Sequence, residues 1–363
     1  MLYWLSEYRH VFSELNLFRY ITVRAVGAGI MAFTVCTLLT PLAVQWLTHH
    51  GIGQHVRRDE AAGGLQTFHQ QKAGTPTMGG IVMLIAILAT VLLWGNLTNH
   101  LLWMTLAAMV ALGAIGFVDD YLKMRERGAK GLPGRVKLLG QIVVGLLIGW
   151  IVVALPPQNT TLEVPFFNQW SLPIGWWYVP FAALVIVSAS NAVNLTDGLD
   201  GLASGCLAMA GIAYGILAYL TSHSTLAHYL NIYFAPLAGE LSVLCAALVG
   251  ATLGFLWFNT YPATLFMGDT GALALGGTLG VVAVSTKKEL LLLLVGGIFV
   301  LEALSVIVQV ASYRYRHQQR VFLMAPLHHH FQMKGWAEPK VTVRFWIVGG
   351  LLALLSVASL KVR

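Results

Sequence analysis

The chain has 363 residues, of which 57% are hydrophobic and 10% are charged. Soluble domains carry about 25% charged residues, so this composition, with a mean hydropathy of +0.72, excludes a soluble protein and indicates an integral membrane protein. The net charge of +7 suits loops facing anionic lipid headgroups or an anionic substrate; because no basic run is interleaved with aromatic residues, nucleic acid is not an expected partner.

Apolar runs recur along the whole chain. A helix that crosses a bilayer needs ~20 apolar residues, and ten runs approach that length. In chain order they lie near 22–48, 78–95, 101–118, 137–155, 174–193, 200–221, 236–258, 266–285, 289–312 and 341–360. They predict an all-α integral membrane protein, a bundle of about ten transmembrane helices that forms a single domain over residues 1–363.

One connection between these runs has a different pattern. Residues 160–173, TTLEVPFFNQWSLP, alternate weakly between polar and apolar and contain a polar Asn-Gln turn. Such a pattern predicts a small β-hairpin. We expect it to lie on the membrane surface between the fourth and fifth spans.

The distribution of basic residues predicts the orientation. Ten spans place both termini on the same side of the membrane. One set of loops, with Lys137 at its edge, carries fourteen Lys and Arg, and the opposite loops and tails carry seven. The positive-inside rule assigns the richer set to the cytoplasm; its loops are 49–77, 119–136, 194–199, 259–265 and 313–340. Both termini and the hairpin are then expected outside.

All six aspartates fall in, or at the membrane edge of, the loops assigned to the cytoplasm. They are Asp59, Asp119, Asp120, Asp197, Asp200 and Asp269. The motifs that contain them are each separated by two spans, so each returns to the same face. We therefore predict one shared site at that face.

The first motif is QKAGTPTMGG, residues 71–80, before the second span. Lys72 is flanked by glycines and by Thr77, an arrangement that could cradle a phosphate. It does not match the Walker pattern. An ordinary positive-inside lysine is an equally good interpretation of Lys72.

The second motif, GFVDDYLK, ends the third span. Asp119 and Asp120 are adjacent, and Lys123 follows one helical turn later. A solvated helix end would explain them, but acids at a helix C-terminus oppose the macrodipole. Two such acids favour a compensating cation or metal ion, so a functional role is the preferred interpretation.

The third motif is NAVNLTDGLDGL, residues 191–202. Asp197 and Asp200 are three residues apart and share a face if the sixth helix begins there. Gly198 removes a side chain and admits a ligand to the backbone, while Asn191 and Asn194 add amide donors and acceptors. Helix capping explains one aspartate but not the whole group, which favours a binding site.

Two further motifs complete the set. In NTYPATLFMGDTG, residues 259–271, Asp269 alone is most simply a helix cap, and Asn259 and Phe266 could hold a flat polar base. In PLHHHFQMKGW, residues 326–336, three adjacent imidazoles lack the spacing of a zinc site. These imidazoles belong to His328, His329 and His330. Either they are exposed in an interfacial loop, or they bind an anion and move protons near neutral pH.

Two glutamates lie inside predicted spans. Glu240 falls in the seventh and Glu302 in the ninth. Intramembrane acids are functional candidates by default, but both could equally be protonated or hydrogen-bonded within the bundle. We leave them outside the predicted site.

These residues together favour phosphate chemistry. Carboxylates without thiol ligands suit Mg²⁺, and a metal ion with nearby cations neutralises the charge that develops in phosphoryl transfer. A membrane location predicts one lipid substrate. We therefore expect a magnesium-dependent enzyme that joins a cytoplasmic phosphorylated donor to a lipid phosphate.

The motifs also resemble a known family across essentially the whole chain. KAGTPTMGG, GFVDDYLK, NAVNLTDGLDGL, GFLWFNTYPA, FMGDTGALALGG and PLHHHFQMKGW occur here in the order typical of the phospho-N-acetylmuramoyl-pentapeptide transferase (MraY) family, within the polyprenyl-phosphate N-acetylhexosamine-1-phosphate transferase superfamily. The triple histidine followed by Gly-Trp distinguishes this branch. Ala272 replaces a common serine, and Gln332 stands where many members have glutamate.

The resemblance implies an activity and a setting. The family transfers phospho-MurNAc-pentapeptide from UDP-MurNAc-pentapeptide to undecaprenyl phosphate, giving lipid I and UMP, the first membrane step of peptidoglycan synthesis in the bacterial inner membrane. Its fold is a ten-helix bundle with five cytoplasmic loops and an external hairpin. Members are usually homodimers.

The resemblance also implies residue roles. Asp269 would bind Mg²⁺, Asp197 would be catalytic or near the metal ion, and Asp119 and Asp120 would deprotonate or orient the lipid phosphate. His328 and His329 would contact phosphates or the sugar. The cleft for the uridine-sugar would be lined by Lys72, Thr77, Asn191, Leu195, Gly198, Asp200, Asn259 and Phe266.

Three alternatives remain open on the sequence. A relative that uses UDP-N-acetylglucosamine is the nearest. A transporter also has many spans with polar breaks, but it usually holds its ionisable groups near the midplane, whereas here nearly all the acids lie at one face. A scaffold would not need the five aspartates of these motifs and three histidines at that face.

Overall fold

The computed structural model describes residues 1–10, 12–49, 74–125, 131–154, 160–166, 171–316 and 318–361. Within these ranges the chain is a bundle of helices with one two-stranded antiparallel sheet, in which Leu162 pairs with Leu172. The strands are β1 (Thr161–Glu163) and β2 (Ser171–Pro173). The principal helices are α1 (Ile21–His49), α2 (Gly80–Trp94), α3 (His100–Arg125), α4 (Gly134–Ala154), α5 (Tyr178–Thr196), α6 (Leu202–Ser222), α7 (Gly239–Asn259), α8 (Gly268–Ser285), α9 (Gly297–Tyr315) and α10 (Glu338–Ala358).

Short elements connect the principal helices. The α-helical ones are Leu2–Leu5, Ser224–Leu230, Leu292–Val295 and Leu327–Met333. The 3₁₀ turns are Ser6–His10, Ser13–Arg19, Gly175–Trp177, Pro236–Ala238 and Ser359–Lys361.

The all-α membrane fold and the hairpin are both confirmed. Among the described residues, nine helices are long and apolar enough to cross a bilayer. The second predicted span is α2, which is apolar but has only 15 residues, a length of about 22 Å. The protein is a multi-pass membrane protein.

Two predicted spans differ from the helices that contain them. The helix of the third span continues beyond 118 to Arg125, so Asp119 and Asp120 lie inside the helix. The predicted span 289–312 is broken at Gly296, which ends the short helix Leu292–Val295 and precedes α9. Glycine stabilises a helix interior poorly, so Gly296 and Gly297 favour a break at this position.

Helix α8 forms the centre of the bundle. Every residue from Thr270 to Ser285 is buried, and the helix packs against α3 and α5. Small residues permit its close crossings: a Cβ on Gly80 of α2 would lie 2.1 Å from the backbone nitrogen of Gly271. The N-terminus of this central helix carries Asp269, so the packing fixes the position of that carboxylate.

A buried ion pair joins α1 to α7. Arg24 Nη1 and Nη2 donate to the two carboxylate oxygens of Glu240 at 2.6 and 2.7 Å. Glu240 also accepts from the backbone nitrogen of Asn96 at 2.9 Å. Glu240 is therefore hydrogen-bonded inside the bundle, which is one of the two roles that the sequence left open for it.

Removing one partner of this pair is expected to be strongly destabilising. Arg24→Met leaves the Glu240 carboxylate buried without its cation, a change that costs about 3–5 kcal/mol in comparable sites. Thermal unfolding of the purified protein in detergent measures the effect. The double variant Arg24→Met, Glu240→Met should recover much of the lost stability; equal stability of the wild type and Arg24→Met would contradict the account.

A second charged cluster lies beyond the C-terminal end of α8. The Glu289 carboxylate accepts from the Tyr178 hydroxyl, and Lys288 pairs with Glu163 on β1. Lys287 Nζ lies 3.6 Å from the centre of the Tyr178 ring. Burial, only partly offset by Lys287 and Tyr178, raises the pKa of Glu289 to about 7. Burial likewise lowers the pKa of Lys287 to about 8, against the attraction of Glu289 and Glu163.

These shifts predict how stability depends on pH. Folded Glu289 keeps its proton up to about pH 7 while the unfolded chain loses it near 4.5, so stability falls as the pH rises through that window. Folded Lys287 loses its proton near pH 8, while the unfolded chain keeps it up to about pH 10.5. The stability that Lys287 contributes above pH 10.5 is therefore lost as the pH falls to about 8. The melting temperature of the wild type should fall as the pH rises from 5 to 7, and Glu289→Gln should remove most of that fall. An undiminished fall in the variant would contradict this assignment.

Candidate active site

Three carboxylates meet where α3 crosses the N-terminus of α8. Asp119 and Asp120 lie on α3 and are buried, and Asp269 in the first turn of α8 is half-buried. Gly116 permits the crossing, because a Cβ there would lie 2.4 Å from the Asp269 carbonyl oxygen. One oxygen from each carboxylate lies within 4.8 Å of the others, so the group could hold a metal ion. We call this group the carboxylate cluster.

Asp120 also fixes the end of α8. Its Oδ2 accepts from the Thr270 backbone nitrogen at 2.9 Å and from the Thr270 hydroxyl at 2.7 Å. Its Oδ1 accepts from the Asp269 backbone nitrogen at 3.2 Å. An anion at a helix N-terminus satisfies free amide groups and complements the macrodipole. Asp120 therefore ties α3 to α8 and sets the separation of Asp119 and Asp269.

Two lysines bridge the remaining carboxylates. Lys123 Nζ lies 2.6 Å from Asp119 Oδ2 and 2.8 Å from Asp269 Oδ2. Lys137 Nζ lies 2.6 Å from Asp269 Oδ2 and 3.5 Å from Asp119 Oδ2. Asn194 of α5 donates to Asp269 Oδ1 at 2.6 Å. Helices α3, α4, α5 and α8 thus each supply a polar group to one centre.

Lys137 is the member that the sequence motifs did not identify. It stands alone near the start of α4, in GRVKLLGQ, and was counted only as a positive-inside residue. Its position at the edge of a span, on the same side of the membrane as the aspartates, is the feature of the sequence that could have assigned Lys137 to the site. The aspartate pairs gave no information on the register of α4.

The NAVNLTDGLDGL segment differs from its predicted geometry. Helix α5 ends at Thr196 with Asp197 as its C-cap, and α6 begins only at Leu202 after Gly201, whose φ is +74°. The spacing of Asp197 and Asp200 predicted that they share a face of the sixth helix. This prediction was wrong, because both residues precede α6. The positive φ at Gly201 suits glycine and explains the turn between the helices.

Asp200 and Asn259 are engaged with the protein itself. Asp200 Oδ2 accepts from the Ala263 backbone nitrogen at 2.9 Å. Asn259 Oδ1 accepts from Gly201 N and Ser204 Oγ, and its amide donates to the Leu265 carbonyl. Both side chains are buried. In this structure they tie the turn before α6 to the segment between α7 and α8, and they do not face an open cleft.

Thr77 and Phe266 lie near the start of α8. The Phe266 backbone pairs with Pro76 and Gly79, which brings residues 76–79 close to the start of that helix. Thr77 Oγ1 lies 3.1 Å from the position of a Cβ on Gly268. Leu195 is partly exposed. Asn191 donates to Gln141 at 2.6 Å, and Lys72 lies outside the described residues.

The three histidines have different environments. His328 is fully buried and bonds through Nδ1 to Glu302 at 3.1 Å. His329 Nδ1 lies 2.8 Å from Gln332 Oε1. His330 Nδ1 accepts from the Leu323 backbone nitrogen, and burial, with repulsion from Lys334, lowers the pKa of its ring. The run is therefore not a uniform exposed surface.

The fold and this cluster together define a multi-pass membrane enzyme with carboxylates and ammonium groups suited to phosphate transfer. A family model described as glycosyl transferase family 4 matches residues 102–287. A model of phospho-N-acetylmuramoyl-pentapeptide-transferase signature 1 matches residues 72–84. The two matches cover the aspartate motifs of α3, α5 and α8 and the segment before α2.

Curated relatives match over nearly the whole chain. The phospho-N-acetylmuramoyl-pentapeptide-transferase of Thermodesulfovibrio yellowstonii is 50% identical over 100% of this chain and 99% of its own length. The protein of the same name from Desulforapulum autotrophicum is 51% identical over 97% and 96%, respectively. That from Syntrophus aciditrophicus is 47% identical over the full length of both. The chain belongs to the phospho-N-acetylmuramoyl-pentapeptide transferase family, as its motifs predicted.

Proposed function

We propose that the protein transfers phospho-MurNAc-pentapeptide from UDP-MurNAc-pentapeptide to undecaprenyl phosphate, giving lipid I and UMP. The observation that carries the proposal is the carboxylate cluster with its two lysines, at helix ends in a member of this family. A bond forms between a lipid phosphate oxygen and the sugar-linked phosphorus. The bond from that phosphorus to the UMP oxygen breaks, either directly or through a covalent enzyme intermediate.

The carboxylate cluster fits Mg²⁺. Its donors are all oxygens, which Mg²⁺ prefers, and three carboxylates in one place favour a cation. Asp119, Asp120 and Asp269 would hold the ion, and Asp197 would contribute to its binding. When bound, the ion neutralises charge on the phosphates.

The surrounding side chains suggest a division of roles. The ammonium groups of Lys123 and Lys137 lie between carboxylates of α3 and α8. They would bind the phosphates of the incoming substrates. Asp119 would orient or deprotonate the lipid phosphate. The proposed cleft for the uridine and sugar uses Lys72, Thr77, Leu195, Gly198 and Phe266 with the histidine segment.

We further propose how the enzyme sits in the bacterial cytoplasmic membrane. The excess of Lys and Arg in the loops near the cluster supports a cytoplasmic site, with both termini and the hairpin outside. A soluble nucleotide donor would then reach the site from the cytoplasm, and the lipid acceptor from the bilayer. A homodimer is proposed from the family resemblance.

Substrate competition in purified protein tests the proposal. The enzyme, undecaprenyl phosphate and Mg²⁺ are mixed with UDP-MurNAc-pentapeptide or UDP-N-acetylglucosamine, and UMP and lipid product are measured. We expect UMP and lipid I only with the muramoyl donor. Product with the acetylglucosamine donor alone would favour the neighbouring branch, and lipid movement in liposomes without chemistry would favour a transporter.

The two lysines are expected to contribute unequally. Lys137 has 16% of its side chain exposed and Lys123 has 39%, and solvent weakens the more exposed charge. Lys137→Gln should lower turnover about 100-fold, the scale found when one charge-stabilising group is removed. Lys123→Gln is the matched control and should lower turnover less. A larger loss for Lys123→Gln would contradict this ranking.

A further inference from the structure

A further buried carboxylate, outside the carboxylate cluster, bonds to one of the three histidines. Glu302 of α9 is completely buried. Its Oε1 accepts from the His328 backbone nitrogen at 3.1 Å, and its Oε2 lies 3.1 Å from His328 Nδ1. Both oxygens of this carboxylate are thus directed at the first of the three histidines.

The other ring nitrogen of His328 has no hydrogen-bond partner among the described residues. His328 Nε2 is buried, and a Cβ on Gly198 would lie only 2.3 Å from it. The free nitrogen is therefore directed at the Asp197–Gly201 turn. A buried polar atom without a partner costs about 1–3 kcal/mol, so Nε2 remains available for a further hydrogen bond at this turn.

The chemistry of Glu302 fixes which ring nitrogen carries the proton. Glu302 already accepts the backbone N–H of His328; as an ionised carboxylate it can only accept hydrogen bonds, so Nδ1 then donates. In the neutral ring Nε2 is then the acceptor. The neighbouring His329, whose ring centre lies 4.2 Å from that of His328, bonds through its own Nδ1 to Gln332.

We propose that Glu302 is a positioning residue for the transfer reaction. It holds His328 in the Nδ1–H tautomer, so that Nε2 accepts a hydrogen bond from a hydroxyl or amide group of the bound sugar donor at the Asp197–Gly201 turn. This inference rests on the proposed function for its substrate. The tautomer itself does not depend on that function.

The substitution Glu302→Gln separates this role from simple packing. The amide keeps the shape of the side chain but offers one accepting oxygen and one donating NH₂ group. If the oxygen keeps the backbone N–H of His328, the NH₂ group faces Nδ1, and the ring proton moves to Nε2. The variant should therefore reverse the tautomer and turn the presented nitrogen from an acceptor into a donor.

Nitrogen NMR of histidine-labelled protein measures the tautomer directly. The His328 signals are assigned by their loss in His328→Gln. We expect protonated Nδ1 in the wild type and protonated Nε2 in Glu302→Gln. Protonated Nε2 in the wild type, or the same tautomer in both proteins, would overturn the proposal without reference to any variant's activity.

Turnover measurements test the consequence for the reaction. Loss of a group that orients another typically costs about 10–100-fold, and we expect that loss of kcat in Glu302→Gln. In the His328→Gln background the same substitution should have little further effect; an undiminished effect there would show a role in packing alone. Glu240→Gln is the matched control, a buried glutamate whose loss should lower stability and leave the His328 tautomer unchanged. If the wild type has a protonated Nδ1 on His328 but makes no lipid I, the proposed function is refuted. The hold of Glu302 on the His328 ring is not.

Discussion

Replacing Asp269 with asparagine is expected to lower lipid I formation about 1000-fold. Asp269 is the partner that Lys123, Lys137 and Asn194 share, and it completes the group that could hold a metal ion. Asparagine keeps the shape but removes the charge that collects these groups. Loss of one preorganised electrostatic group costs about 100- to 1000-fold, and loss of metal-ion stabilisation adds to it.

Release of UMP under saturating substrates measures this effect. Glu289→Gln is the control, because it removes a carboxylate beyond the opposite end of the 18-residue helix α8, about 27 Å from Asp269. Because Glu289 lies beyond the far end of α8, the control should retain turnover near that of the wild type. Turnover of Asp269→Asn within tenfold of the wild type, in folded protein, would remove Asp269 from the centre of the mechanism.

Replacing Gly116 with alanine is expected to be nearly as damaging, although Gly116 has no chemistry of its own. The new Cβ would lie 2.4 Å from the Asp269 carbonyl oxygen and 2.7 Å from Thr270 Cα. These are backbone atoms of a buried helix, which cannot yield locally. The substitution should push α8 away from α3 and separate Asp269 from Asp119.

Gly113→Ala, one turn earlier on α3, is the matched comparison. Its Cβ would approach Leu84 Cδ1 at 2.7 Å, the end of a flexible side chain that can move aside. We expect Gly116→Ala to lose at least about 100-fold in turnover, because small displacements of catalytic groups have effects of that size. Gly113→Ala should lose much less; equal losses would show that helix crowding in general, and not the separation of the carboxylates, governs activity.

The sequence predicted the helical fold and much of the candidate site for clear physical reasons. Apolar runs of spanning length are unambiguous in composition, and two spans between motifs return each motif to the same face. Asp119, Asp120 and Asp269 were therefore correctly predicted to share a face. The structure adds that they meet closely, because Gly116 lets α3 approach the start of α8.

Other features depend on information that spacing along the chain does not contain. Lys137 joins the cluster through the register of α4 against α3 and α8, which no local motif fixes. Asp197 and Asp200 were expected on one helix, but the turn at Gly201 delays the start of α6. Glu302 was visible as an intramembrane acid, yet its partner His328 follows 26 residues later on a separate short helix.

The central claim is that Asp119, Asp120 and Asp269 form the metal-dependent centre of transfer. Its most direct test is a titration of metal-free protein with Mn²⁺, a spectroscopically visible substitute for Mg²⁺, with bound ion and UMP release measured in the same samples. The account predicts that activity and occupancy of one site per chain rise together in the wild type, and that Asp269→Asn loses both. Full turnover in metal-free protein, or unchanged Mn²⁺ binding in Asp269→Asn, would contradict it.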